Sequence, residues 1–142
     1  MEKRKAKELY QRYQGSKFQM MRDGFYQEYL TYNVSKEEED KWLEELVIIN
    51  INNLNINDID SFSELGLLLR FNLSIVNFGI VHIMRFLEEN EKMANDKFSF
   101  LKFSQKVISI IDYCLNNQNG IINKRLLEEE KQILVKLRNK YL

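Results

Sequence analysis

The chain has 142 residues, 44% hydrophobic and 30% charged, with 21 basic and 21 acidic side chains and a formal net charge of zero. That balance fits a globular protein with a real core and excludes an overall field that would draw in nucleic acid or an anionic membrane. With no proline and five glycines, the chain has few strong breakers, so helices joined by short turns are expected. The predicted fold is all-α: one domain, residues 1–142, of about five to six helices around a long, mostly buried central helix at about residues 62–90, with helix content of at least about 60%.

Taken in order, Leu9, Tyr10 and Tyr13 share one side of a basic first helix at about residues 2–14, and Gly15-Ser16 ends it. Phe18, Met21, Phe25, Tyr29 and Tyr32 recur at spacings of three and four, interrupted by the turn-prone pair Asp23-Gly24. This predicts a loop or broken turn to Asp23 and then a helix to Tyr32. Ser35 followed by Glu38 has the spacing of a capping box, so the next helix starts there. Glu37, Glu38, Glu39 and Asp40 offset its positive dipole end, while Trp42, Leu43, Leu46 and Ile49 form its apolar face. Trp42 is expected to be buried and to anchor this segment to the central helix. The asparagine-rich stretch "NINNLNINDID" reads as a fraying end or loop.

Ser61 with Glu64 repeats the capping-box spacing before the central helix, which has bend candidates at Asn72 and Gly79. The following helix, capped by Asn95 or Asp96, has Phe98, Leu101, Val107, Ile108, Ile111 and Leu115 as its apolar residues and stops at "NNQNG". A last helix, capped near Asn123, should bury Leu126, Leu127, Ile133, Leu134 and Leu137.

Catalytic and cofactor chemistry finds little to work with. His82 is the single histidine and lacks the Glu-x-x-His spacing of bundle metal sites, so no metal is expected. The glycines are isolated, which removes phosphate-binding loops, and runs such as Glu128 to Glu130 read as solvated helix faces. Cys114 lies among apolar residues as a buried thiol, consistent with a reducing compartment. The stretch from Leu65 to Leu87 is long enough to span a bilayer but carries Arg70, Asn72, Asn77, His82 and Arg85. No catalytic residue, metal, cofactor or membrane span is therefore expected.

What remains points to binding. Charge is segregated: Lys3, Arg4, Lys5, Lys7, Arg12 and Lys17 dominate the first segment, acids dominate residues 18–60, and bases return after residue 96. Tyr10, Arg12, Tyr13 and Lys17 combine aromatic anchors with positive charge, which suits a protein interface or stacked bases. A second candidate is the stripe of Arg70, Ser74, Asn77 and Arg85, projected onto one side of the central helix and suited to an acidic partner. Enrichment in Asn, Ile and Lys with two alanines suggests an AT-rich bacterial genome. The expectation is a small cytoplasmic, non-enzymatic helical protein that binds another protein as a regulator, inhibitor or immunity-type protein. The alternative is nucleic-acid binding by the basic-aromatic N-terminal segment.

Overall fold

The computed structural model describes residues 2–93, 97–117 and 123–140. Of these residues 84% are helical and none lies in a strand, as the sequence predicts. The described residues form eight α-helices: α1 (Glu2–Arg12), α2 (Lys17–Arg22), α3 (Tyr26–Leu30), α4 (Lys36–Asn52), α5 (Ser63–Phe71), α6 (Val76–Asn90), α7 (Lys97–Asn116) and α8 (Lys124–Lys140). Short 3₁₀ turns occupy Ile59–Phe62, Leu73–Ile75 and Glu91–Met93. The chain divides into two compact units, Met1–Val47 and Ile48–Leu142, and the boundary falls inside α4.

In the first unit, Gln14 and Gly15 take left-handed φ values of 51° and 77° after α1, and the Gly15 amide donates to the Tyr10 carbonyl at 3.0 Å. This closes the orphan carbonyls of the helix end. Within the stretch expected as a loop or broken turn up to Asp23, Lys17–Arg22 form the short helix α2. Ser16 starts it by accepting a hydrogen bond from the Gln19 amide at 3.2 Å, and its one fully buried side chain is Met20. Gly24, at φ 85°, turns the chain into α3, which ends at Leu30. The Ser35–Glu38 capping box forms as predicted, with reciprocal bonds of 3.1 Å between each side chain and the other residue's amide. Ala6, Leu9, Tyr10, Met20, Tyr29, Trp42, Leu43 and Val47 make the core of this unit. Trp42 is buried as expected, with its ring tilted against Tyr10 at 6.0 Å.

In the second unit the long helix expected at about residues 62–90 is broken at Asn72, the first of its two bend candidates. The segments Ile59–Phe71 and Leu73–Met93 are bent by 110° at Asn72. Asn72 has φ −135° and ψ 73°, and its side-chain amide donates to the Leu68 carbonyl at 2.9 Å, four residues back. The side chain thereby supplies a hydrogen bond that a helical amide would have made, and the break becomes tolerable. The second capping box does not form either. Ser61 Oγ is taken by the preceding loop, donating to the Asp58 carbonyl at 2.7 Å and accepting from the Asn55 amide at 3.0 Å.

Folding back at Asn72 brings the two halves together at Gly79, where a Cβ would lie 2.5 Å from Leu69 Cδ2 and 3.3 Å from Cδ1. Both sides of that contact are buried. The rest of this core comes from Leu65, Leu68, Ile80, Ile83, Phe100, Phe103, Val107, Ile111, Leu127 and Leu134, with α7 and α8 forming the most extensive helix pair. Phe98, Ile133 and Ile49, expected inside, are 61%, 49% and 52% exposed, while Phe100 and Phe103 fill the interior of this unit. Asn123 caps α8 as predicted, accepting from the Leu126 amide at 3.2 Å, whereas the proposed caps Asn95 and Asp96 lie outside the described residues. Cys114 is fully buried, and burial pushes its thiol up to about 11.

Gly79→Ala should destabilise the protein by about 1 to 3 kcal/mol, because overpacking against Leu69 exceeds the roughly 1 kcal/mol gained in helix propensity. Chemical denaturation measures this, and a midpoint that rises would contradict the close approach. Cys114 should resist alkylation in the native state and react once denaturant unfolds the chain, since a buried thiol with a raised pKa supplies little thiolate.

Candidate partner-binding surface

The tyrosines near the N-terminus divide into two groups. Tyr10 stacks on Tyr29 with ring centroids 5.6 Å apart and planes at 19°, and both rings are 3% exposed. The Tyr29 hydroxyl donates to Glu39 Oε2 at 2.6 Å, and Lys17 Nζ reaches the same carboxylate at 3.2 Å. Glu39 is itself 4% exposed, so these two partners compensate a carboxylate removed from water. Tyr10 therefore cannot present its ring to a partner, and Lys17 is committed to Glu39. Two of the four predicted recognition residues are thus part of the scaffold.

Arg12 and Tyr13 remain at the surface. Tyr13 donates its hydroxyl to Asp23 Oδ2 at 2.9 Å and tilts its ring against Phe25 at 6.2 Å, while the Arg12 guanidinium lies over Phe25 at 5.9 Å. Arg22 Nε pairs with the other Asp23 oxygen at 3.0 Å, and both hydrogen bonds hold the Asp23 carboxyl below the usual carboxylate range. Large apolar side chains close by in sequence are also exposed. Phe18 is 74% exposed and Met21 57%, one helical turn apart on α2, and Phe25 follows at 37%. The one residue that α2 buries is Met20.

The second predicted stripe does not survive the bend. Arg70 lies on α5 and Arg85 on α6, with the 110° change of direction between them. Arg70 is half-buried, with its guanidinium over the Tyr113 ring at 5.7 Å. Asn77 forms a reciprocal pair with the Asn123 backbone, at 2.8 and 3.1 Å, and is thereby structural. Arg85 is exposed in a groove of about 570 Å³ that also holds Glu88, Glu91 and Glu130. His82 sits against Phe78, its Nδ1 2.9 Å from the Phe78 carbonyl. Among the described residues no group of three or more His, Cys, Asp or Glu could hold a metal ion, and no single helix is long and apolar enough to cross a membrane. Comparison of the chain with protein-family models, curated proteins and solved structures finds no match.

The buried tyrosines make a pH prediction. Desolvation first, and then the neighbouring Glu39, raise the Tyr10 and Tyr29 hydroxyls above the ordinary value of 10.0. The folded state consequently holds these protons after the unfolded state has lost them. Their contribution is complete below about pH 10 and is lost as pH rises beyond it, by up to about 1.4 kcal/mol per pH unit for each tyrosine. Denaturation midpoints measured from about pH 8 to about pH 11 should fall, and less steeply in Tyr29→Phe. At neutral pH, Tyr29→Phe should cost about 1.5 to 3 kcal/mol through loss of a hydrogen bond to a charged, buried acceptor.

Proposed function

We propose that this chain is a non-catalytic binding protein, a regulator, inhibitor or immunity-type protein of the cytoplasm, and that it engages its protein partner through Phe18, Met21 and Phe25 with Arg12, Tyr13 and Arg22. The observation that carries this reading is the exposure of Phe18 and Met21, 74% and 57%, on one face of a helix that has an alternative buried residue in Met20. Large apolar side chains gathered in the open, beside arginines and a tyrosine, have the composition of an interface centre rather than of ordinary surface. Asp23 neutralises part of the positive charge here, which suits a protein partner better than a phosphate backbone.

The test uses residues that carry no load in the fold. Phe18→Asp with Met21→Asp should change stability by less than about 0.5 kcal/mol, as exposed substitutions do. Affinity capture with the wild-type chain and this variant in parallel should then retain a protein that the variant loses. Retention of the same proteins by both, or tight binding of a labelled oligonucleotide that collapses as salt is raised, would overturn the reading.

A further inference from the structure

The second unit holds a groove between α5 and α7, about 260 Å³ in volume, whose lining includes Phe62, Gly66, Leu67, Arg70, Lys106 and Ile110. It adjoins a further hollow of about 410 Å³, which shares Ile59 and Lys106 and adds Lys102, Gln105 and Ser109. Among the described residues no carboxylate lines either one. Ion pairs in this unit occupy Lys124, Arg125, Lys131 and Lys140, but none involves Arg70, Lys102 or Lys106 among the described residues. Arg70 Nε is in addition buried without a hydrogen-bond partner. Arg70 and Lys106 thus stand at the apolar groove and Lys102 in the adjoining hollow, its ammonium 4.6 Å from the centre of the Phe98 ring, and among the described residues none of the three pairs with a carboxylate.

Gly66 supplies an independent observation. A glycine inside a helix is less favourable than alanine by roughly 1 kcal/mol, and at Gly79 the close approach of Leu69 explains it. At Gly66 nothing comparable does. A Cβ there would come no nearer than 3.4 Å to Ile110 Cδ1 and 3.6 Å to Phe62, ordinary van der Waals contact. Packing accepts an alanine at this position, and its absence leaves the floor of the groove deeper.

We propose that this groove is a second binding site, which takes an acidic segment of a protein chain, one apolar side chain seated over Gly66 and flanking carboxylates against Arg70, Lys106 and Lys102. At about 260 Å³ the floor is smaller than the pockets that enclose drug-sized ligands, which hold roughly 300 to 1,000 Å³. It has room for a single anchoring side chain. The cationic continuation along α7, where Lys102, Lys106 and Ser109 recur on one face, fits an extended ligand. Arginine above all favours bidentate pairing with carboxylates.

Selection of a phage-displayed random peptide library on the full chain tests this directly. The enriched peptides should carry one aliphatic or aromatic residue between aspartates or glutamates. A labelled peptide of that consensus should lose at least about tenfold in affinity with Arg70→Glu or Lys106→Glu, and more weakly with rising salt. Gly66→Ala should weaken the same peptide at least about threefold while its thermal midpoint is unchanged or raised, which separates binding from folding. Phe18→Asp should leave peptide binding unaffected, so that the first unit's surface and this groove succeed or fail independently. The proposal is overturned if no acidic consensus emerges, or if the selected peptide is indifferent to these substitutions. It is equally overturned if octanoate or a labelled oligonucleotide, and no acidic peptide, binds in a manner that the charge reversals abolish.

Discussion

The first unit depends on how Glu39 is held inside it. Of the described residues, Glu39 is the one carboxylate buried, and a charge in that position must be compensated within the protein or the fold loses several kcal/mol. Tyr29 and Lys17 provide the compensation, and each comes from a different short helix or its first residue. Tyr29 in turn fixes the stacking of Tyr10, and Tyr10 the packing of Trp42. One carboxylate therefore coordinates the positions of α1, α2, α3 and α4. With Tyr10, Tyr29 and Met20 occupying the interior, Phe18, Met21 and Phe25 are left at the surface.

Breaking the helix at Asn72 plays the corresponding part in the second unit. A straight rod from residue 62 to residue 90 would have needed apolar neighbours around its whole circumference. Bent by 110°, its two halves serve as neighbours to each other, and the closeness of Leu69 to Gly79 shows how tightly they meet. The local cost is limited, because the Asn72 side chain bonds to the Leu68 carbonyl. Arg70, at the end of the first half, is carried towards α7, and Arg85, on the second half, towards α8.

Charge in this molecule is spent in two ways. Lys3, Lys7 and Lys17 pair with Glu38, Glu45 and Glu39 inside the first unit, so the basic start and the acidic middle of that region neutralise each other. Among the described residues Arg70, Lys102 and Lys106 find no such partner in the second unit. Unequal use of charge, rather than net charge, distinguishes scaffold from candidate surface here, and the two candidate surfaces differ in kind. One is an exposed apolar cluster edged by arginines; the other is a cationic groove with an apolar floor.

The sequence by itself determined the helical class, because the missing breakers and the spacing of apolar residues are local properties. It also determined the Ser35–Glu38 box and the Asn123 cap, which need only neighbouring residues. Burial of Trp42 and Cys114 was legible from their apolar surroundings. Tertiary structure decided which of two similar residues turned inward: Met20 over Met21, Val47 over Ile49, Phe100 over Phe98. It also decided that Ser61 would serve a loop instead of a helix, and that Lys17 would answer a buried glutamate. The reason is physical. Periodicity reports that a helix has an apolar side, but the rotation of a short helix, and the partner of a long polar side chain, are set by elements distant in sequence, and only their packing selects among choices that are locally almost equal.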